Sequence, residues 1–129
     1  MAYEIPGCTN SYEAGADLSA NQFFPVIMED DGQVNIAGGQ GVATIGFLQN
    51  KPSAAGRAAT VMHSGVTKAI AGAAIDVSAA GRWLTANTDG VETAATGDFV
   101  CGYYLGATDV VEGDVISVLI VAPSPVASA

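Results

Sequence analysis

The stretch that decides the fold is residues 57–70, which read Arg-Ala-Ala-Thr-Val-Met-His-Ser-Gly-Val-Thr-Lys-Ala-Ile. Two runs rich in β-branched residues, Arg57–Met62 and Val66–Ile70, flank the small polar segment His63-Ser64-Gly65. β-Branched side chains fit the pleated surface of a sheet, and glycine allows the backbone to turn sharply. The stretch therefore predicts two strands separated by a tight turn.

The same alternation of short apolar runs and glycine-containing turns continues on both sides of this stretch. Polar hairpin signals at Glu29-Asp30-Asp31-Gly32 and Asn87-Thr88-Asp89-Gly90 each separate two such runs. In residues 69–80, glycine and β-branched residues disfavour a short helix, so strand plus turn is the better interpretation. The further predicted strands are Phe23–Met28, Val34–Ile36, Val42–Gln49, Arg82–Ala86, Val91–Thr93, Phe99–Leu105 and Val115–Val121. This pattern predicts a mainly-β domain, a small antiparallel β-barrel or sandwich with at most one short helix.

The composition agrees with strands, because the 129-residue chain has 14 Val and 8 Ile against only 5 Leu and 3 Met. Its length suits one domain with one core. We expect three parts: an extended N-terminal arm at residues 1–22, a β-domain at residues 23–122 and a flexible C-terminal tail at residues 123–129. The arm has no sustained hydrophobic period and cannot pack by itself, so it must lie on its own domain or on a partner.

Charge and hydropathy exclude several classes of protein. Thirteen acidic and four basic residues give a net charge of −9, which disfavours binding to nucleic acid. A hydrophobic content of 50% argues against a disordered chain. The longest uncharged apolar stretch, Val115–Ala122, is far shorter than the ~20 residues of a membrane helix. The opening Met1-Ala2-Tyr3-Glu4 has no basic or apolar region of a secretory leader. We expect neither nucleic acid nor membrane among the partners.

No arrangement of residues in the sequence points to catalysis. His63 is the sole imidazole, and a His-Ser neighbour pair in a turn is not a catalytic triad, so we interpret His63 as a solvent-exposed turn residue. Lys68 is interpreted as an ordinary exposed strand side chain. Gly38-Gly39-Gln40-Gly41 leads into a predicted strand and lacks the Lys-Ser/Thr of a phosphate-binding loop. We therefore expect no catalytic residue, no cofactor and no small-molecule substrate.

No metal site is predicted either. Cys8 and Cys101 lie far apart in the sequence and lack the short-spaced Cys or His partners of a zinc site. We interpret them as two buried or idle thiols rather than a disulfide. The Glu29-Asp30-Asp31-Gly32 segment lacks the ligand spacing of a calcium loop, which makes it a solvated hairpin tip.

A series of ordered segments carries a resemblance that extends over nearly the whole chain: Met1–Glu4, Pro6-Gly7, Glu13–Leu18, Gly46–Pro52, Ala54-Ala55-Gly56, Ala59–Met62, Ser64–Lys68, Gly97–Tyr103 and Gly113–Ile120. In this order they resemble a family of small bacteriophage capsid decoration (cement) proteins. The resemblance implies a β-rich structural protein that binds the outer surface of an assembled shell, commonly as a homotrimer. Its implied partner is the major capsid protein, and its implied location is the outer surface of the virion, where it strengthens the shell against internal pressure.

The resemblance also implies how the protein attaches. The arm would add a strand to an exposed sheet edge of the shell protein, and three arms on one trimer would act together. The candidate partner-binding residues are Tyr3, Ile5, Pro6, Tyr12, Leu18 and Trp83. Tyr103 and Tyr104 are further candidate anchors; for them, as for Trp83, an ordinary core or cross-strand role fits equally well. Two alternatives stay open: another β-rich phage subunit of the tail or fibre, and a soluble enzyme or carrier that uses His63 or Lys68.

Overall fold

The computed structural model describes residues 2–78 and 81–123, and within these ranges the chain is all β. The predicted tail lies outside the described residues from position 124 onward. The strands of the described residues are β1 (Ile5–Pro6), β2 (Thr9–Glu13), β3 (Pro25–Met28), β4 (Val34–Ile36), β5 (Gly46–Leu48), β6 (Ala58–Met62), β7 (Gly65–Ile70), β8 (Trp83–Asn87), β9 (Gly90–Thr93), β10 (Val100–Tyr104) and β11 (Val115–Ile120).

The strands form two antiparallel sheets. The six-stranded sheet has the order β1-β7-β11-β10-β8-β9, and the five-stranded sheet has the order β2-β6-β5-β3-β4. Neither sheet closes into a barrel among the described strands, and these residues contain no helix. The prediction of a mainly-β antiparallel fold is thus confirmed, in its sandwich form.

Both predicted polar hairpins are present. Met28 pairs with Val34 across the turn between β3 and β4, and Asn87 pairs with Gly90 across the turn between β8 and β9. The predicted strand at residues 23–28 begins two residues late. Phe23 has a φ of 71°, in the left-handed region that a bulky side chain rarely adopts, so the backbone cannot be extended there.

The prediction of a tight turn between two neighbouring strands at His63-Ser64-Gly65 is wrong. β6 belongs to the five-stranded sheet and β7 to the six-stranded sheet, and the two are not neighbours in either. The chain bends at this segment and passes from one sheet to the other. The reason is that both runs pair with the N-terminal segment, from Ile5 opposite Val66 to Glu13 opposite Ala58. β6 and β7 each pair with the N-terminal segment instead of with each other.

The N-terminal segment is therefore part of both sheets and does not project as a separate arm. The Gly7 amide donates to the Ser64 carbonyl at 3.0 Å, and the His63 amide donates to the Cys8 carbonyl at 2.7 Å, so the ladder continues through the bend. Leu18, predicted to contact a partner, is only 2% exposed, and its amide donates to the carbonyl of Pro52. The sequence could not show this because the matching strands lie about fifty residues away.

The core consists of two clusters: strand residues of the six-stranded sheet form most of the first, and residues of the five-stranded sheet form most of the second. Adjacent side chains of a strand point to opposite faces, so Phe47 and Leu48 of β5 enter different clusters. The first cluster contains Phe47, Ala69, Ala71, Ile75, Leu84, Val91, Cys101, Tyr104, Val110, Ile116 and Val118. The second contains Ala14, Leu18, Val26, Val34, Leu48, Ala59 and Val61. Strand β5 and the bent β6–β7 segment thus tie the two halves of the domain together.

Gly65 makes the bend possible and generates a stability prediction. Its φ is 103°, and a Cβ at this position would collide with the carbonyl oxygen of Ile5 and the amide nitrogen of Gly7. Gly113 has a similar φ of 93° with open space around it. We expect Gly113→Ala to lower the free energy of unfolding by about 1 kcal/mol through backbone strain alone. Gly65→Ala should cost about 3 kcal/mol, because the collision adds to the strain.

Urea denaturation of the two variants measures this difference. Hydrogen exchange should in addition show faster exchange of the amides of residues 5–13 in Gly65→Ala only. Equal losses of stability in the two variants would contradict the assigned role of Gly65.

Candidate protein-docking face

Strand register brings five large apolar residues into one line across the six-stranded sheet. Directly opposed residues of neighbouring strands point to the same face of a sheet. The pairs are Ile5 with Val66, Val66 with Leu119, Leu119 with Tyr103, and Tyr103 with Trp83. Five strands about 4.8 Å apart make this line roughly 19 Å long. We call Ile5, Val66, Leu119, Tyr103 and Trp83 the apolar row.

The apolar row lies on the outer face of the sheet. The neighbours of its members in the sequence, Leu84, Tyr104 and Val118, are buried in the first core cluster, so the row points away from that core. Ile5 is 60% exposed, Trp83 44% and Leu119 40%. Val66, which lies between Ile5 and Leu119 in the row, is only 9% exposed. The row is a line of apolar side chains across this face, exposed at Ile5, Leu119 and Trp83.

Two aromatic rings stiffen one end of the row. The rings of Trp83 and Tyr103 pack edge to face, with centroids 4.9 Å apart and planes at 76°. This geometry is favourable for aromatic pairs, and it fixes both side chains. Preordered Trp and Tyr side chains lose little conformational entropy when a partner covers them, which is why such residues dominate binding energy at protein interfaces.

Tyr3 is fastened beside the row by a buried hydroxyl. The Tyr3 amide donates to Ser117 Oγ at 2.6 Å, and Ser117 Oγ donates to the Tyr3 carbonyl at 3.0 Å. Ser117 lies on the same face of β11 as Leu119, two residues earlier. The N-terminal residues therefore cross the outer face next to the row, where Tyr3 remains 47% exposed.

The six predicted partner-binding residues fall into different places. Ile5 and Trp83 lie in the apolar row, and Tyr3 lies next to it. Pro6 follows Ile5 on β1 and pairs with Gly65. Tyr12 is on β2 in the other sheet, away from the row. Leu18 is a core residue, so its prediction as a contact residue is corrected.

Sequence reasoning missed Val66 and Leu119. β11 reads Val-Ile-Ser-Val-Leu-Ile, an almost continuous apolar run without the alternation that marks an inward and an outward face. In the structure, Ile116 and Val118 face the core and Leu119 does not. The only signal that could have distinguished these two faces of β11 was the register of the neighbouring strands.

His63 has a structural role that its position in a bend concealed. Its Nδ1 lies 2.7 Å from the carbonyl oxygen of Ile45, and its Nε2 lies 2.7 Å from the hydroxyl of Tyr12. A carbonyl only accepts, so Nδ1 carries a proton, and in the neutral ring the Tyr12 hydroxyl donates to Nε2. The interpretation of His63 as a solvent-exposed residue is wrong: the ring is half-buried and joins β2, the residue before β5, and the bend.

Lys68 is likewise not a fully exposed side chain. It is half-buried, and its Nζ lies 5.9 Å from the centroid of the Phe23 ring, within the range of a cation–π contact.

In residues 2–78 and 81–123, no three His, Cys, Asp or Glu side chains are grouped so that they could hold a metal ion. Among the same residues, no helix is long and apolar enough to cross a membrane.

Comparison with known proteins gives no relative. The chain matches no protein-family model, no curated protein and no solved structure.

The two thiols generate a prediction about reactivity. Cys101 is buried in the first core cluster, and burial raises the pKa of its thiol from 9.0 to about 12. Cys8 is exposed. Only the thiolate is reactive, so a thiol reagent at pH 8 should modify one cysteine per folded chain, and both in denaturant. Cys8→Ser should abolish the reaction of the folded protein, and rapid reaction of two thiols in the native state would contradict the burial of Cys101.

Proposed function

We propose that this protein is a bacteriophage capsid decoration protein, and that its apolar row binds the outer surface of the shell formed by the major capsid protein. The observation that supports this most directly is the exposed row itself. Large apolar side chains grouped on an exposed face of a protein often mark a binding site for another macromolecule. The row has the aromatic content of a protein-binding site, with Trp83 and Tyr103 at one end.

The sequence resemblance supports the same proposal. Of the segments that resemble decoration proteins, Ser64–Lys68 contains Val66, Gly97–Tyr103 contains Tyr103, and Gly113–Ile120 contains Leu119. The segments in which the resemblance resides therefore supply three of the five side chains of the row. A resemblance caused by turn glycines alone would have no reason to coincide with this surface.

The proposed attachment differs from insertion of a disordered arm. β1 and β2 are paired within the sheets of the same chain, and Ile5 contributes to the row as part of a folded surface. A preordered sheet loses little conformational entropy on binding, so more of the free energy of apolar burial remains as affinity. One row is small, and attachment through three rows of a homotrimer would raise the overall affinity by making the later contacts intramolecular.

The charge of the chain fits a protein that sits outside a DNA-filled shell. The net charge of −9 favours solubility of the free protein and keeps it away from DNA. On this proposal attachment depends on apolar contact, and it should be much less sensitive to salt than attachment by ion pairs.

Co-sedimentation with undecorated shells tests the proposal. Trp83→Ala and Leu119→Gln each remove an exposed member of the row without opening the core. We expect each to weaken binding by roughly 30-fold, the effect of losing about 2 kcal/mol at an interface centre. The matched control is Val111→Gln, because Val111 is 64% exposed, the most exposed of the large apolar residues that the structure describes, and lies outside the row.

Failure of the wild-type protein to sediment with shells, or equal weakening by Val111→Gln, would refute the proposal. Electron microscopy of bound particles separates it from a tail or fibre role, since a decoration protein must cover the shell surface in regular copies.

A further inference from the structure

A groove on the surface combines apolar side chains with positive charge. It has a volume of about 530 Å³ and lies between the segment before β3 and the neighbouring ends of β7 and β11. Phe23, Phe24, Ile70 and Val115 supply its apolar lining, and Lys51 lies at its rim. Lys68 is a second lysine beside the groove, because its Nζ lies 5.9 Å from the centroid of the Phe23 ring that lines it. We call these six residues the basic groove.

The basic groove is exceptional in this chain. Two of the four basic residues of the protein lie here, against thirteen acidic residues in total. Val115 is 47% exposed although it is apolar, and Phe23 keeps the strained φ of 71°. Strain of this kind in a bulky residue is concentrated at binding sites. The groove therefore suits an occupant that carries carboxylates beside an apolar side chain.

The turn between β3 and β4 has this chemistry. Met28 is 44% exposed, and Glu29, Asp30 and Asp31 follow it directly. The turn is well ordered by its own hydrogen bonds: the Glu29 amide donates to the Gln33 carbonyl at 2.8 Å, and the Gly32 amide donates to the Glu29 carbonyl at 2.9 Å. We call Met28–Gly32 the acidic tip.

The basic groove and the acidic tip lie at opposite ends of the same strand. Phe23 and Phe24 precede β3, and Glu29 follows it, so Phe24 and Glu29 are separated by roughly 17 Å of extended chain. A rigid strand therefore prevents the tip from entering the groove of its own chain. Two complementary surfaces that are held apart in this way can meet between copies, and such head-to-tail contacts form a closed ring when the rotation from one copy to the next closes, and an open filament when it does not.

We propose that the acidic tip of one copy binds the basic groove of the next copy, with Met28 against the apolar lining and Asp30 facing Lys51. Three such contacts close the homotrimer. This proposal rests on the proposed function, from which it takes the number of three copies.

Sedimentation velocity of the purified full chain over a range of micromolar concentrations tests the contact. The wild type should form a trimer that dissociates as salt is raised, because part of the contact is between charges. Lys51→Glu should raise the dissociation constant on the order of tenfold, since it places like charges together. Asp30→Lys should do the same.

The double variant Lys51→Glu with Asp30→Lys restores opposite charges and should recover most of the wild-type affinity. Matched controls carry the same charge changes at exposed positions elsewhere: Arg57→Glu for the lysine and Glu112→Lys for the aspartate. Both controls should remain trimeric. Met28→Gln should weaken the trimer without changing its dependence on salt, because it removes only the apolar part of the contact.

A wild-type protein that is monomeric at all concentrations would overturn the proposal, and so would a double variant no better than the single ones. Either result would leave shell binding by the wild type to be decided by co-sedimentation alone. Conversely, a trimer with the charge-pair behaviour described here that fails to bind shells would support the contact and refute the decoration function.

Discussion

Residues 5–13 pair with residues 58–66 in one unbroken antiparallel register, and the rest of the structure depends on this ladder. It begins in the six-stranded sheet, with Ile5 opposite Val66, and ends in the five-stranded sheet, with Glu13 opposite Ala58. Because both of its strands change sheets at the same point, the two sheets are joined by hydrogen bonds as well as by a connecting chain. The bend at Ser64-Gly65 fixes the angle between them.

The ladder also determines what the molecule presents to its surroundings. By docking β1 beside β7, it adds Ile5 to the line formed by Val66, Leu119, Tyr103 and Trp83. The acidic side chains of the two polar hairpins lie instead in the turns that connect strands, such as Asp30, Asp31 and Asp89. The apolar row thus lies on the face of the six-stranded sheet, whereas the acidic tip lies at a turn of the five-stranded sheet.

The candidate site was only partly predictable, for a physical reason. Ile5 stood out as one of the few large apolar groups of the N-terminal segment and Trp83 as a large aromatic, but Leu119 lies in an uninterrupted apolar run where neighbouring side chains face opposite sides. Leu18 shows the opposite error. It was predicted to contact a partner because it is a large apolar residue in a polar segment, but the folded domain buries it in the core. The His63 ring was expected to face solvent in a turn. Its two nitrogens instead form hydrogen bonds with the Tyr12 hydroxyl of β2 and with the carbonyl of Ile45, just before β5.

The sequence by itself determined the class of structure and most of its strands, since β-branched runs and polar glycine turns are local signals that act through backbone sterics. It also determined the two polar hairpins, whose partners are adjacent in the chain. Only the tertiary structure decided that residues 57–70 form one bent path between two sheets, that the N-terminal segment belongs to both, and which apolar side chains remain outside. Those outcomes depend on pairing between strands about fifty residues apart, and a local pattern contains no information on which distant strand will be the neighbour.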